Sequence, residues 1–143
     1  ETGDWGVGKP DKYPQNKSIA KSTPFAHAPC MVRREAYESV GGYTIHKRLL
    51  RVEDYHLWIK MYSRGFKGYN IQEPLYKMRD DRRAMKRRNM KSRLNEANVK
   101  IIAIKELKLS RINTIYVIKP IILGIIPGFI YNKMHKYKLR IIK

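Results

Sequence analysis

The most regular pattern of apolar and polar positions in the chain begins at Glu53. The residues after it place large apolar side chains at the spacing of one helix face, which is typical of an amphipathic helix packed on a core. These positions are Leu57, Trp58, Met61 and Tyr62. Glu53 and Asp54 stand in the first turn, where carboxylates suit the positive end of the helix dipole, and Gly65 provides a stop. The pattern predicts a helix that presents two carboxylates at its start.

The residues before this helix predict a loop, a strand and a short helix. Residues 1–23 are rich in Gly, Lys, Pro, Asn and Ser and have no period, so we expect an extended loop. Residues 25–33 form a short, mostly apolar run, which favours a strand or a buried extended segment. Residues 34–40 predict a short helix. It should end at Gly41 and Gly42, because glycine accepts the left-handed conformation at a helix C-terminus.

The remaining segments predict further elements on both sides of the carboxylate helix. Residues 43–51 have no clear period and predict a loop. Residues 66–71 alternate and predict a strand, and residues 75–78 predict a second extended stretch. Residues 80–110 contain neither proline nor glycine, which permits one long helix or two. Residues 114–131 are strongly apolar.

The chain carries a large excess of positive charge. Among its 143 residues, 31 Lys and Arg oppose 12 Asp and Glu, for a formal net charge of +19. Such an imbalance indicates a polyanionic neighbour, which could be nucleic acid, an anionic membrane surface or a phosphorylated substrate. Hydrophobic residues make up 43% of the chain, which argues against wholesale disorder. The single cysteine, Cys30, cannot form an intrachain disulfide, and its apolar neighbours favour a buried structural thiol over a nucleophile.

The carboxylate pair Glu53 and Asp54 is the first candidate for chemistry. A carboxylate at a helix start, just after a loop, is exposed on one side and held on the other, which suits a general base. The alternative is structural, because acidic residues open many helices simply to satisfy backbone N–H groups and the dipole. Taken alone, the position favours the structural role.

Five short motifs follow one another from Phe25 to Arg79. They read Pro24-Phe25-Ala26-His27-Ala28-Pro29, Val40-Gly41-Gly42-Tyr43, Arg51-Val52-Glu53-Asp54-Tyr55-His56-Leu57-Trp58, Gly65-Phe66-Lys67-Gly68-Tyr69, and Glu73-Pro74-Leu75-Tyr76 with Met78-Arg79. Their order and spacing resemble the acceptor-binding half of family 2 (GT-A type) glycosyltransferases. The resemblance continues more loosely after Arg79, as in transferases that make bacterial surface polysaccharides.

The resemblance implies an α/β fold and a division of the chain. Residues 1–79 would be the C-terminal half of a GT-A glycosyltransferase domain. Residues 80–112 would form a basic helical extension, and residues 113–143 an apolar and basic tail that associates with membrane. The implied activity is transfer of a sugar, with inversion, from a nucleotide-sugar donor to a glycan or lipid-linked acceptor.

The resemblance also implies roles for individual residues on the acceptor side. In the family, the Asp of this Glu-Asp pair deprotonates the acceptor hydroxyl, and the matching residue here is Asp54. Glu53 would orient the loop or bind the acceptor. Gly42 and Tyr43 would lie against the acceptor, where the missing side chain of Gly42 lets a sugar approach the backbone. Trp58 could stack on a sugar ring, with core packing on the helix face as its alternative.

The donor side is represented by fewer residues. His27 could contact the donor or the acceptor. Arg79, Arg82 and Arg83 could face a pyrophosphate of the donor, because the planar arginine fork suits phosphate. The alternatives are a structural histidine and a solvated basic face. The Asp-x-Asp metal motif of the family is absent from this sequence. The divalent metal expected in the full-length enzyme, Mg or Mn, would therefore have its ligands outside this chain, which we expect to be inactive alone.

The apolar run of residues 114–131 allows three alternatives. A membrane span needs about 20 continuous apolar residues, and Lys119, Pro120 and Pro127 interrupt this run. An interfacial helix pair fits the prolines and the flanking cations better, and packing on another part of the protein is the third reading. We expect a peripheral or monotopic protein at the cytoplasmic face of an anionic membrane.

A second class of function also fits the charge. The chain could be a non-enzymatic basic module that binds membrane or nucleic acid. No nucleic-acid-binding motif is visible in the sequence, so we expect no nucleic-acid partner.

Overall fold

A computed structural model describes residues 7–77 and 89–126 of the chain. Within these ranges the regular elements are all helical: α1 (Asn16–Lys21), α2 (Arg34–Ser39), α3 (Glu53–Ser63), α4 (Met90–Glu106), a 3-10 turn (Arg111–Thr114) and α5 (Ile115–Ile125). Predicted helices coincide with α2 and α3, and α4 and α5 lie inside the ranges predicted from residues 80–110 and 114–131.

Helix α3 lies at the centre of the described core, with buried residues on two sides. On one side Tyr55, Ile59 and Tyr62 pack with Ile19 of α1 and with Val99, Ala103 and Leu107, which follow one face of α4 into the turn after it. On the other side Leu57, Trp58 and Met61 pack with Val40. The Tyr55 hydroxyl donates a hydrogen bond to the Ile19 carbonyl, which ties α1 to α3 within this core. The predicted packing face of this helix is confirmed and is wider than expected.

Helices α4 and α5 make a close pair beside α3. Gly124 lies at their contact, since a Cβ built there would lie 2.9 Å from the Met90 sulfur and 3.3 Å from the Arg93 Cγ. A larger residue at this position would require the Met90 side chain to move. Lys100 of α4 is buried, with 2% of its surface exposed, and donates from Nζ to the carbonyl of Lys21 at the end of α1.

Three helices end in the same hydrogen-bonded arrangement, the Schellman motif. After α2, Gly42 N donates to Tyr37 O at 3.0 Å and Gly41 N donates to Glu38 O at 2.9 Å. Corresponding pairs of bonds close α3 at Gly65 and α4 at Lys108. Gly41 and Gly65 have φ of 71° and 87°, and Lys108 has φ of 50° without being glycine. The predicted glycine stops are confirmed.

The two predicted strands were wrong, since no strand is found in residues 7–77 and 89–126. In residues 25–33 a turn forms in which Cys30 N donates to His27 O at 3.2 Å, and Met31 is 95% exposed. Residues 66–71 join residues 10–12 through Asn70, whose N donates to Lys12 O at 2.9 Å. Side-chain bonds from Asn70 complete that contact, which is no ladder of paired strands.

Two further expectations concern the loop predicted for residues 1–23 and the membrane association predicted for the C-terminal tail. The loop predicted for residues 1–23 contains α1, whose Ile19 and Ala20 are fully buried, so a six-residue helix is stabilised by packing where the local sequence shows no period. Among the described helices none is long and apolar enough to cross a bilayer. Residues 78–88 and 127–143 of the predicted extension and tail lie outside the described residues.

Candidate functional site

A cleft opens at the N-terminus of α3, where the two carboxylates begin the helix. Its volume is about 540 Å³, and its lining is His27, Tyr43, Arg51, Glu53 and Asp54. Glu53 is exposed and Asp54 is half-buried. Four of the residues predicted from the sequence, from three separate motifs, therefore meet around one space large enough for a sugar.

The loop of residues 46–52, which precedes α3 and contributes Arg51 to the cleft, consists of tight turns. Leu49 N donates to His46 O at 2.9 Å, and Val52 N donates to Leu49 O at 3.0 Å. Leu49 and Val52 are buried in the core beside α3, so they fix the loop from below. Asn95 of α4 adds a second anchor, because its Nδ2 donates to the Leu50 carbonyl at 3.1 Å. The start of α3 is thus held by buried residues of the loop before it and by Asn95 of α4.

Arg51 lines the cleft and was missed as a site residue from the sequence. Its φ is 70°, a left-handed conformation that costs a non-glycine residue about 1–2 kcal/mol. A residue held in such a conformation beside two carboxylates is a functional candidate, since glycine would adopt the same turn without strain. In the sequence, the only indication of a role for Arg51 is that this basic residue lies two positions before Glu53.

Tyr43 and His27 also line the cleft and contact each other. The Tyr43 hydroxyl lies 3.5 Å from His27 Nδ1, and the rings meet edge to face with centroids 6.1 Å apart. The ring of Tyr37 supports Tyr43 from behind, at 5.8 Å between centroids. Burial, followed by the nearby Tyr37 and Asp54, raises the pKa of Tyr43 above its usual value. Tyr43 therefore keeps its hydroxyl proton and can donate a hydrogen bond into the cleft.

Lys60 fastens the Gly-Gly-Tyr turn to α3. Its Nζ donates to the carbonyl of Val40 at 3.0 Å and also to the carbonyl of Gly42. Both acceptors lie at the C-terminal end of α2, where carbonyls lack helical partners and a cation is favoured. One side chain on the carboxylate helix thus sets the position of Tyr43.

Gly42 serves packing in this structure. A Cβ at Gly42 would lie 2.9 Å from the Tyr37 hydroxyl oxygen, and its φ is 58°. The missing side chain makes room for Tyr37, and contact of Gly42 with the acceptor stays a prediction. Gly42 is buried and contributes to the site by allowing the turn that carries Tyr43.

Trp58 lies in the core with 4% of its surface exposed. Its ring meets Phe25 edge to face, with centroids 5.3 Å apart. The prediction that Trp58 stacks on a sugar ring is corrected accordingly: its faces are covered by protein, and core packing describes its position.

Cys30 packs at the edge of this second core cluster, near the cleft. Its Sγ lies 3.0 Å from the Ala26 carbonyl, to which the thiol donates. Burial, and then the charge of Asp54, raises the pKa of Cys30, which keeps it a thiol at neutral pH. This agrees with a structural cysteine.

The remaining predicted donor residues, Arg79, Arg82 and Arg83, lie outside the described residues. Within residues 7–77 and 89–126 no three His, Cys, Asp or Glu side chains come together as a metal site.

Comparison with known proteins identifies two related transferases. Over 126 residues, 88% of this chain, the sequence is 39% identical to the Bacillus subtilis (strain 168) protein named "Putative glycosyltransferase EpsE". Over 90 residues it is 37% identical to an Escherichia coli UDP-Gal:alpha-D-GlcNAc-diphosphoundecaprenol beta-1,3-galactosyltransferase. The chain covers 45% and 31% of the lengths of these relatives. No protein-family model matches the chain, and no solved structure matches it significantly. The resemblance to glycosyltransferases is confirmed.

Proposed function

We propose that this chain supplies the acceptor side of an inverting glycosyltransferase, with Asp54 as the catalytic base. The observation that carries the proposal is the cleft in which the Glu53-Asp54 pair at the start of α3 faces Tyr43 and His27. The similarity to two bacterial glycosyltransferases over most of the chain supports it.

Asp54 is suited to take a proton from a sugar hydroxyl in the cleft. Its half-buried carboxylate stands in the first turn of α3 and lines the cleft. An acceptor hydroxyl at hydrogen-bond distance gives its proton to the Asp54 carboxylate as its oxygen attacks the anomeric carbon of the donor. The new bond joins that carbon to the acceptor oxygen. The bond to the nucleotide diphosphate breaks on the opposite face, which inverts the configuration.

The other cleft residues position the two substrates. Glu53, which is exposed beside Asp54, accepts hydrogen bonds from the acceptor's hydroxyl groups. The Tyr43 hydroxyl donates to the acceptor from the facing wall, and His27 holds that hydroxyl in place. The Arg51 guanidinium would meet the negative charge of a phosphate, either on the donor or on a lipid-linked acceptor.

The partners of the whole protein are proposed on the same basis. The donor is a nucleotide-sugar, and the acceptor is a glycan or a sugar carried on a lipid diphosphate, as the name of the Escherichia coli relative states for that enzyme. A GT-A α/β domain would provide the donor pocket together with a divalent metal, bound by residues outside this chain. Arg79 and Arg82 would add positive charge on the donor side.

The base role is tested by Asp54→Asn in the full-length protein. Asparagine keeps the shape of the side chain and cannot accept the proton. We expect kcat to fall about 100-fold or more while KM for the acceptor changes little. The measurement is release of nucleoside diphosphate from a panel of nucleotide-sugars that includes UDP-galactose, with a membrane extract as acceptor.

Glu35→Gln is the matched control, because Glu35 stands in the first turn of α2 as Asp54 does in the first turn of α3. It lies outside the cleft lining and should leave kcat unchanged. Turnover by Asp54→Asn within a few-fold of the wild type would remove Asp54 from the base role.

A further inference from the structure

Helix α5 presents a continuous apolar face to solvent. Ile115, Ile118, Ile122 and Ile125 are each between 51% and 71% exposed. Their spacing of three, four and three residues puts them on one side of an α-helix. We call these four residues the isoleucine face.

The opposite side of the same helix already has its partner. Val117 and Pro120 are buried, and Gly124 meets Met90 and Arg93 of α4. Helix α5 therefore packs on the described fold through its other side, and the isoleucine face takes no part in that packing. Exposed apolar surface arranged on one helix face marks an interaction site more often than scattered single residues do.

The charges around this face limit what can cover it. Residues 89–126 hold seven Lys and Arg and two Asp and Glu. One of those acids, Glu96, is paired with Arg93 at 3.2 Å. Lys119 is exposed within α5, and Arg111 is exposed one turn before it. The partner must therefore accept isoleucine side chains and bear negative charge beside them.

An anionic bilayer meets both conditions. Isoleucine side chains enter the acyl boundary, while Lys and Arg stay at the phosphate level. Nucleic acid supplies the charge and offers no apolar surface of this kind. A second copy of the chain would bring two basic surfaces together, which like-charge repulsion opposes. Helix α5 has 11 residues, a length of about 16 Å, so it matches the plane of the interface better than the thickness of a bilayer.

We propose that the isoleucine face of α5 rests on an anionic lipid surface, with α5 parallel to the bilayer plane. The inference stands on this surface and does not depend on the proposed transferase activity. If both hold, the face would keep the enzyme where a lipid-linked acceptor is found.

The test compares vesicle binding of the full-length protein with that of Ile115→Ser/Ile122→Ser. The probes are vesicles of phosphatidylcholine alone and of phosphatidylcholine mixed with phosphatidylglycerol. The wild type should bind the mixed vesicles, and binding should weaken as salt is raised. The double variant should bind at least about tenfold more weakly, because two half-exposed isoleucines no longer enter the lipid.

Ile45→Ser/Ile71→Ser is the matched control, since both isoleucines are exposed and lie outside α5. It should bind vesicles as the wild type does. Equal binding by the wild type and Ile115→Ser/Ile122→Ser, or no binding of the wild type to the anionic vesicles, would overturn the proposal.

Thermal melting and light scattering without lipid distinguish a lipid surface from the other possible occupants of the isoleucine face. On a face that is free in solution, the Ile115→Ser/Ile122→Ser change should leave Tm and molecular mass unchanged. A fall in Tm of several degrees would show that protein covers the face. A loss of dimer mass would show that a second copy does. Either result overturns the lipid assignment without bearing on the activity of Asp54.

Discussion

Asp54 and Arg51 lie three residues apart, and different local forces place them in the same cleft. Asp54 belongs to the first turn of α3, where the free backbone N–H groups favour a carboxylate. Arg51 occupies a left-handed turn that the buried neighbours Leu49 and Val52 hold in place. The carboxylate thus lies in the first turn of a helix, while Arg51 is held in the cleft lining at a cost in backbone strain.

His56 lies on α3, two residues after Asp54, and makes the stability of the fold depend on pH. Its Nδ1 is buried and has no hydrogen-bond partner among the described residues. Burial, followed by the charge of Lys60, lowers its pKa below 6.5, while Glu106 acts in the opposite direction. Below pH 6.5 the unfolded chain takes up a proton on this ring that the folded chain resists, so folding stability falls as the pH drops.

We therefore expect the free energy of unfolding to decrease between pH 7.5 and 5.5, and His56→Gln to reduce that decrease. Urea unfolding at the two pH values gives the comparison. His46→Gln, at an exposed position in the cleft loop, should keep the wild-type dependence. An unchanged pH dependence in His56→Gln would show that other groups control it.

At the scale of the elements, the ends of α2, α3 and α4 show which helix boundaries can be predicted from local sequence. Gly41 closes α2 and Gly65 closes α3, as expected from sequence, because only glycine enters the left-handed region without a Cβ penalty. Helix α4 closes in the same way at Lys108. Nothing in the local pattern indicated this end, since lysine is an ordinary residue of a helix interior.

Lys108 offers a direct test of this geometry. Lys108→Gly should stabilise the protein by about 0.5–1 kcal/mol, because glycine removes the left-handed strain at a small entropic cost. Lys105→Gly, in the last turn of α4, should instead destabilise it by about 1 kcal/mol. Chemical unfolding of the two variants measures both signs. Destabilisation by Lys108→Gly would show that contacts of the lysine side chain stabilise the protein by more than the left-handed backbone of Lys108 destabilises it.

At the scale of the whole molecule, α4 connects the core to the cleft. It packs along α3 through Val99 and Ala103, and its Asn95 donates to the carbonyls of Lys47 and Leu50 at 3.5 and 3.1 Å. The same helix supports α5 and its isoleucine face. One long helix therefore links the proposed catalytic loop to the proposed lipid surface.

Removing this link should loosen the cleft. Asn95→Ala loses both hydrogen bonds and leaves two loop carbonyls without that donor, so we expect destabilisation of about 1–2 kcal/mol. Amide hydrogen exchange should rise in residues 46–52 more than in α3. Asn98→Ala, at a half-buried position on the same helix, is the control. Exchange that rises equally throughout the protein would point to a general loss of stability.

Local patterns were sufficient for α2 and α3, their glycine ends and the carboxylate pair, because period, first-turn acids and glycine act over a few neighbouring residues. They were insufficient where distant contacts decide. Helix α1 is stabilised by the packing of Ile19 with Tyr55, and residues 66–71 contact residues 10–12 through Asn70 without forming a strand. The motif order predicted that Asp54, Tyr43 and His27 belong to one site. Long-range packing buries Trp58, places Tyr37 against Gly42 and brings Arg51 into the cleft lining, and the spacing of motifs does not encode such packing.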